Sequence, residues 1–357
     1  MYDGDPSRPR LRVVGVGGAG GNAVARMSTH GIDGVDLLAI NTDLQALAQL
    51  KGTQTFAIGP RTTGGMGSGG RAETGRKAIN ESRAQIARLI EGADMVFITA
   101  GMGGGTGTGA SAVVAEIAKK QGALTVGVVT LPFAFEGPNR RTVAQAGLHQ
   151  LMHKVDTLIV AENDRLLPAL KTDVSLGDAF RAADEVLRQG VQGISEILTS
   201  AGIVNVDFAD VKAVMTNGGP SFMAVAEAKG KGAAIEAAGA ALSNPLFEAP
   251  VQGASGILLN VRGGKDLTLA QVHEVAAIVR STANPECNII FGVVQDKRLK
   301  KRVRVTLVAT GVDRSQGDAS RPSAEPQPQA AAETLPGVAA RANGHHTPVT
   351  IGGSRLL

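Results

Sequence analysis

Two glycine-rich turns carry the clearest chemistry in this chain. Gly15, Gly17 and Gly20 form a GxGxxG pattern, and GMGGGTGTG runs from Gly101 to Gly109. Glycine has no Cβ, so backbone N–H groups in such turns can close on a phosphate at a helix N-terminus, where the helix dipole favours negative charge. The first turn follows LRVVGV and opens a helix over Asn22 to Met27; the second follows MVFITA and precedes SAVVAEIA. Two phosphate-binding turns are therefore expected side by side at the carboxyl ends of strands. One nicotinamide cofactor does not need both, and a nucleoside triphosphate fits better. Thr106 and Thr108 add hydroxyls that can bond phosphate or help position a metal. No GxxxxGK[ST] stretch occurs, so backbone dipoles, a bound Mg²⁺ and Arg140 would share the charge neutralisation that a P-loop lysine otherwise supplies. A rival reading is a Rossmann dehydrogenase, since Asp43 ends the strand after the first turn, as a dinucleotide site would have it. That reading leaves the second glycine turn unexplained.

The elements that must hold these turns alternate. Apolar runs LRVVGV, VDLLAINTD, ADMVFITAG and ALTVGVVTLP read as strands, with three- and four-residue apolar spacing in KAINESRAQIARLIEG and SAVVAEIAKKQG between them. Strand and helix in repeated alternation predict a parallel sheet with helices on both faces. From Asp178 to Leu198 a longer helix is written, with Phe180, Ala183, Leu187, Val191, Ile194 and Leu198 along one face. A smaller α/β unit follows: VKAVMTN as a strand, KGAAIEAAGAALSN as a helix, GILLNV as a strand, TLAQVHEVAAIVRST as a helix, then strands NIIFGVVQ and VRVTLVATG. The expected division is a flexible start over 1–10, a nucleotide domain over 11–176, a connecting helix over 177–202, an α/β domain over 203–312 and a disordered tail over 313–357, where Pro, Ala, Ser and Gln replace apolar periodicity.

Composition agrees with that outline. Aromatic residues are 3% of the 357 and glycines number 47, which suits aliphatic strands and glycine-built loops. Cys287 is the only cysteine, so no internal disulfide can form and a reducing, cytosolic setting is expected. No stretch approaches the roughly 18 uninterrupted apolar residues of a membrane span. Lys297, Arg298, Lys300, Lys301, Arg302 and Arg304 form a basic run that could attract phosphate or anionic lipid; the plainer reading is a solvated hairpin between two strands. No aromatic residues interleave it for base stacking, and nucleic acid is not an expected partner.

Taken together, these stretches resemble the FtsZ family, the bacterial relatives of tubulin, from about Leu11 to Gly311. GGGTGTG from Gly103 to Gly109 matches that superfamily's signature loop, joined by GVGGAGGNAV at Gly15, AINTD at Ala39, PFAFEG at Pro132, DTLIV at Asp156, VLRQGVQGIS at Val186 and NVDFADVKAVM at Asn205. The resemblance implies a Rossmann-like GTP-binding domain, a long central helix and a smaller α/β domain that reaches the next subunit's nucleotide in a head-to-tail filament of the mid-cell division ring. It implies that Gly18, Ala19, Gly20 and Gly21, with Gly105, Thr106 and Gly107, hold the phosphates of GTP or GDP. Glu136 and Arg140 would lie near ribose and phosphate, and Asn22, Asn163, Phe180 and Asp184 would surround guanine. Without the resemblance, Phe180 reads as part of an apolar stripe and Asp184 as a solvated charge. Asn205, Asp207 and Asp210 would complete the neighbouring subunit's active site, positioning water and a cation, although Asp before a helix is equally a capping residue. No dedicated protein metal site is expected; Mg²⁺ would accompany the nucleotide.

The match has gaps. Gly64 and Leu131 stand where the family has arginine, and Pro138 and Asn139 replace basic residues. The chain ends TPVTIGGSRLL, unlike the family's apolar and acidic tail peptide. Val349, Ile351, Leu356 and Leu357 could still dock on a tethering or regulatory protein, so any membrane contact is expected to be indirect. A scaffold with little GTPase activity stays open as a third reading.

Overall fold

The computed structural model describes residues 8–169, 173–200, 202–244 and 251–312. The expected tail from 313 and most of the expected flexible start lie outside them. In chain order the elements are β1 Leu11–Val16, α1 Gly17–His30, β2 Val35–Asn41, α2 Leu44–Ala48, β3 Gln54–Ala57, α3 Pro60–Thr63, α4 Ala72–Glu81, α5 Arg83–Leu89, β4 Met95–Gly101, α6 Thr106–Lys120 and β5 Leu124–Leu131. Then come α7 Pro138–Met152, β6 Thr157–Glu162, α8 Leu176–Thr199, α9 Phe208–Met215, β7 Gly219–Lys229, α10 Ala233–Leu242, β8 Gly256–Gly263, α11 Leu269–Thr282, β9 Asn288–Gln295 and β10 Arg302–Thr310.

The strands form one mixed sheet in the order β3-β2-β1-β4-β5-β6-β7-β10-β8-β9. From β3 to β6 every pairing is parallel, and β4 is buried along nearly its whole length, as strands covered on both faces must be. β7 joins β6 over three residue pairs only. β10 then runs antiparallel between β7 and β8. Three apolar clusters fill the fold, one on each face of the parallel half and one under α10 and α11.

Several elements depart from the sequence reading. VKAVMTN is the end of helix α9, through Met215, and the turn after it rather than a strand. Asp207 caps the helix, its Oδ1 accepting from Asp210 N at 2.8 Å, and Val211, Val214 and Met215 are buried at helical spacing; cap and spacing outweigh valine's strand preference. The apolar pattern from Lys77 to Gly92 is two helices, because Ser82 Oγ accepts from Gly59 N at 3.0 Å and leaves the helical conformation at ψ 12°. β3, β6 and β7 were not read as strands at all. The basic run is no hairpin: β8 lies between β9 and β10, and the connection crosses its end with Asp296 N on Gly263 O at 2.8 Å. Arg298 pairs with Asp296, and Arg302 and Arg304 with Glu227.

Helix α8 ties the two halves of the sheet together. Ser175 caps it by accepting from Asp178 N at 3.1 Å. Its 24 residues span about 36 Å at 1.5 Å each. Gly190 lies against Val128 of β5 and Gly193 against Thr306 of β10, so the helix packs on both. Near its end Glu196 takes Arg262 of β8 at 2.5 Å, and Arg262 also holds Asp296 at 3.0 Å.

Candidate functional site

Strand order 3-2-1-4-5-6 reverses between β1 and β4, and ligands bind outside the carboxyl ends of strands at such a reversal. Helices α1 and α6 begin there, one after each strand. Neither carries an acidic residue in its first turn or a side-chain cap on its first N–H groups, so both N-termini are free to receive an anion. The two glycine turns touch. A Cβ added to Gly17, whose φ is +74°, would lie 2.8 Å from Gly107 N, and one added to Gly107 would lie 2.6 Å from Gly101 O. Around Gly18 and Gly104 a Cβ would meet nothing within 4 Å: these residues border open space.

Three hydroxyls converge beside the second turn. Thr106 Oγ1 is 2.6 Å from Thr42 Oγ1 and 3.1 Å from Ser68 Oγ, all three groups buried. Thr108 Oγ1 accepts from Gly103 N at 2.9 Å and holds the turn in shape. Neither Thr42 nor Ser68 is among the site residues expected from the sequence. Asp43, the residue on which a dinucleotide site would depend, is engaged as the cap of α2, accepting from Ala46 N at 3.0 Å.

A second pocket wall forms where α8 begins. Phe180 stands edge-on to Phe133 and Phe135, with ring centroids 5.6 and 6.2 Å away, and it is 38% exposed rather than part of the core stripe. One turn on, Asp184 is only 7% exposed, not a solvated charge. Burial pushes its carboxyl up to about 6, the Arg26 guanidinium offsetting part of the effect. Arg26 Nε lies 3.5 Å from Asp184 Oδ2, a charge contact without hydrogen-bond alignment. Asn22 is four residues before Arg26 on α1, and so one turn nearer the glycines on the same face. Asn163, directly after β6, is buried, and its Oδ1 has no hydrogen-bond partner.

Glu136 and Arg140 are paired at 2.5 Å on the rim below Phe133, and Glu136 Oε1 also accepts from Phe133 N at 2.9 Å, fixing the β5–α7 turn. Gly18 to Asn22, Gly105 to Gly107, Glu136, Arg140, Asn163, Phe180 and Asp184 thus all surround the carboxyl ends of β1, β4, β5 and β6. Asn205, Asp207 and Asp210 do not. They follow the far end of α8, where Thr199 lies against Gly34 at the amino end of β2 and where Ile203 and Val204 pair with Val293 of β9. Asn205 Oδ1 accepts from Gly202 N at 2.6 Å, while Asp207 and Asp210 are exposed.

The family model for the tubulin/FtsZ GTPase domain matches residues 10–171, and that for the FtsZ C-terminal domain matches residues 219–313. The chain is similar to a solved, empty FtsZ dimer of M. jannaschii at 46% identity, over 85% of this chain and 88% of that one, with a TM-score of 0.82. The chain belongs to the FtsZ family. A GTPase domain of the tubulin/FtsZ type accounts for both glycine turns, and a guanine nucleotide replaces the dehydrogenase's dinucleotide as the ligand class. The same fold recurs at 22% identity in the GTPγS-bound protofilament of CetZ2 from Haloferax volcanii, over 87% of this chain and 96% of that one, with a TM-score of 0.74.

Mg²⁺ fits this donor set. It keeps several waters and takes one or two protein oxygens beside substrate phosphates, and the Thr42, Ser68 and Thr106 hydroxyls offer such oxygens next to the turns.

Proposed function

We propose that the chain is an assembly-dependent GTPase, polymerising head-to-tail into filaments of a bacterial cytokinetic ring in the cytoplasm at mid-cell. The observation that carries this reading is the separation of its two sets of functional residues. The glycine turns stand at one pole, and Asp207 and Asp210 stand at the other, with the length of α8 between them. No side-chain motion bridges about 36 Å. Two copies stacked pole to pole would bring the carboxylates of one to the nucleotide of the other, and a heterologous contact of that kind repeats into an open filament. The related M. jannaschii FtsZ is a dimer in its solved structure, which supports self-association as such.

Backbone N–H groups of Gly18 to Gly21 and Gly105 to Gly107 would take the phosphates. Asp184 would accept from guanine N1–H and N2–H and discriminate against adenine, which leaves that carboxylate unpaired. Phe180 and Asn22 would flank the base and Asn163 Oδ1 would accept from ribose or base, with Glu136 and Arg140 at the ribose and phosphate edge. Asp207 or Asp210 of the next copy would orient the attacking water, with Asn205 supporting the loop. The Thr106 and Thr42 hydroxyls would help hold Mg²⁺ beside the phosphates, where the ion would supply charge neutralisation. The tail beyond residue 312 would serve tethering or regulatory proteins.

The test is turnover against concentration. GTPase rate per molecule should rise steeply above a threshold at which light scattering also appears with GTP. Specific activity that holds constant on dilution sinks the proposal, and scattering without turnover would favour a scaffold.

A further inference from the structure

The structure assigns a second cation site, separate from the residues placed at the nucleotide, to His149 and His153 on the exposed face of α7: a bidentate imidazole site for a transition-metal ion such as Zn²⁺, Ni²⁺ or Cu²⁺. The two residues are one helical turn apart, and His153, although it caps the helix, keeps helical dihedrals of −78° and −4°, so the spacing that places i and i+4 side chains together persists to the end. Both are exposed. Their Nε2 atoms face each other at 3.4 Å, with ring centroids 4.7 Å apart and planes at 80°.

That separation is what a shared ion requires. Two nitrogens each 2.0–2.1 Å from one ion at a tetrahedral angle lie roughly 3.3–3.4 Å apart. The same distance is long for an N–H···N hydrogen bond, so the rings are placed better for a common ion than for each other. Each ring would present Nε2 and keep its proton on Nδ1. Imidazole nitrogen selects borderline metals over Mg²⁺ or Ca²⁺, which prefer oxygen. Water completes the coordination, since no group of three or more His, Cys, Asp or Glu side chains gathers among the described residues; the ion is therefore exchangeable, unlike a closed structural zinc. Bound, it would strap the last turn of the helix whose first turn carries Arg140.

The experiment is calorimetric titration of nucleotide-free, full-length protein with ZnCl₂. It compares the unaltered chain, His149→Gln, His153→Gln, and a His345→Gln/His346→Gln double variant that removes the adjacent tail histidines. One ion per chain is expected in the unaltered protein and in the tail variant. Either α7 substitution should weaken binding about tenfold or more, since even loss of a supporting partner costs about 10–100-fold. Circular dichroism and GTP turnover should be unchanged in the α7 variants, because both rings are exposed and neither belongs to the residues placed at the nucleotide. Equal affinity in the α7 variants, loss confined to the tail variant, or no zinc binding at all would overturn the assignment.

Discussion

Replacing Asp184 with asparagine should separate stability from recognition. The folded protein holds the Asp184 proton to about pH 6 against an ordinary 3.8, chiefly through burial. Between those values the native state binds more protons than the unfolded chain, so stability falls as pH rises from about 4 to 6 and levels off beyond. At about 1.4 kcal/mol per pH unit, the ionised carboxylate costs the empty protein about 3 kcal/mol at neutral pH. Asparagine removes that cost, which is already net of the attraction that Arg26 exerts on the carboxylate. The net expectation for Asp184→Asn is about 3 kcal/mol greater stability at pH 7.5, shrinking to about 1 kcal/mol near pH 4.5, by urea denaturation of nucleotide-free protein. GTP affinity should move the other way, dropping about thirtyfold for the roughly 2 kcal/mol carried by hydrogen bonds to a charged acceptor. Wild-type stability that is flat from pH 4.5 to 6.5, or GTP affinity untouched in the variant, would refute the reasoning.

Other expectations follow from the same geometry. Asp210→Asn should keep GTP binding and polymerisation and lose turnover; if nucleotide binding disappears instead, the residue is structural. Thr106→Val strips Thr42 and Ser68 of their shared partner and should destabilise the empty protein by about 1–2 kcal/mol while weakening GTP, readable by denaturation and by nucleotide titration. Arg262→Met leaves Glu196 and Asp296 facing each other in a mostly buried setting; a loss of about 3 kcal/mol is expected, and an unchanged urea midpoint would contradict it.

What could be read from the sequence followed how locally each feature is written. The glycine turns and four strands of the parallel half, β1, β2, β4 and β5, announced themselves because strand, turn and helix sit within about 20 residues. The site's hydroxyl cluster did not, since Thr42 and Ser68 reach Thr106 across 64 and 38 residues, and neither residue type is unusual alone. Asp184 and Phe180 entered through family resemblance, while the residues by themselves favoured plainer readings. Only the fold shows why: Arg26 of another helix lies beside the buried Asp184, and Phe180 meets two phenylalanines from another loop. Val211 and Val214 misled for a related reason: their strand preference is local, whereas the helix that Asp207 caps is settled by the burial of Val211, Val214 and Met215.

The reach of α8 sets a rule of counting. If every active site is shared between one copy's glycine turns and the next copy's carboxylates, an open chain of n subunits holds n − 1 complete sites. One terminal subunit then carries a nucleotide that nothing can hydrolyse, and the other exposes carboxylates with nothing to act on. A dimer would turn over at half the per-subunit rate of a long filament. The two ends would be chemically unlike, one retaining GTP after the interior has spent it, so the age of a filament would be written along its length.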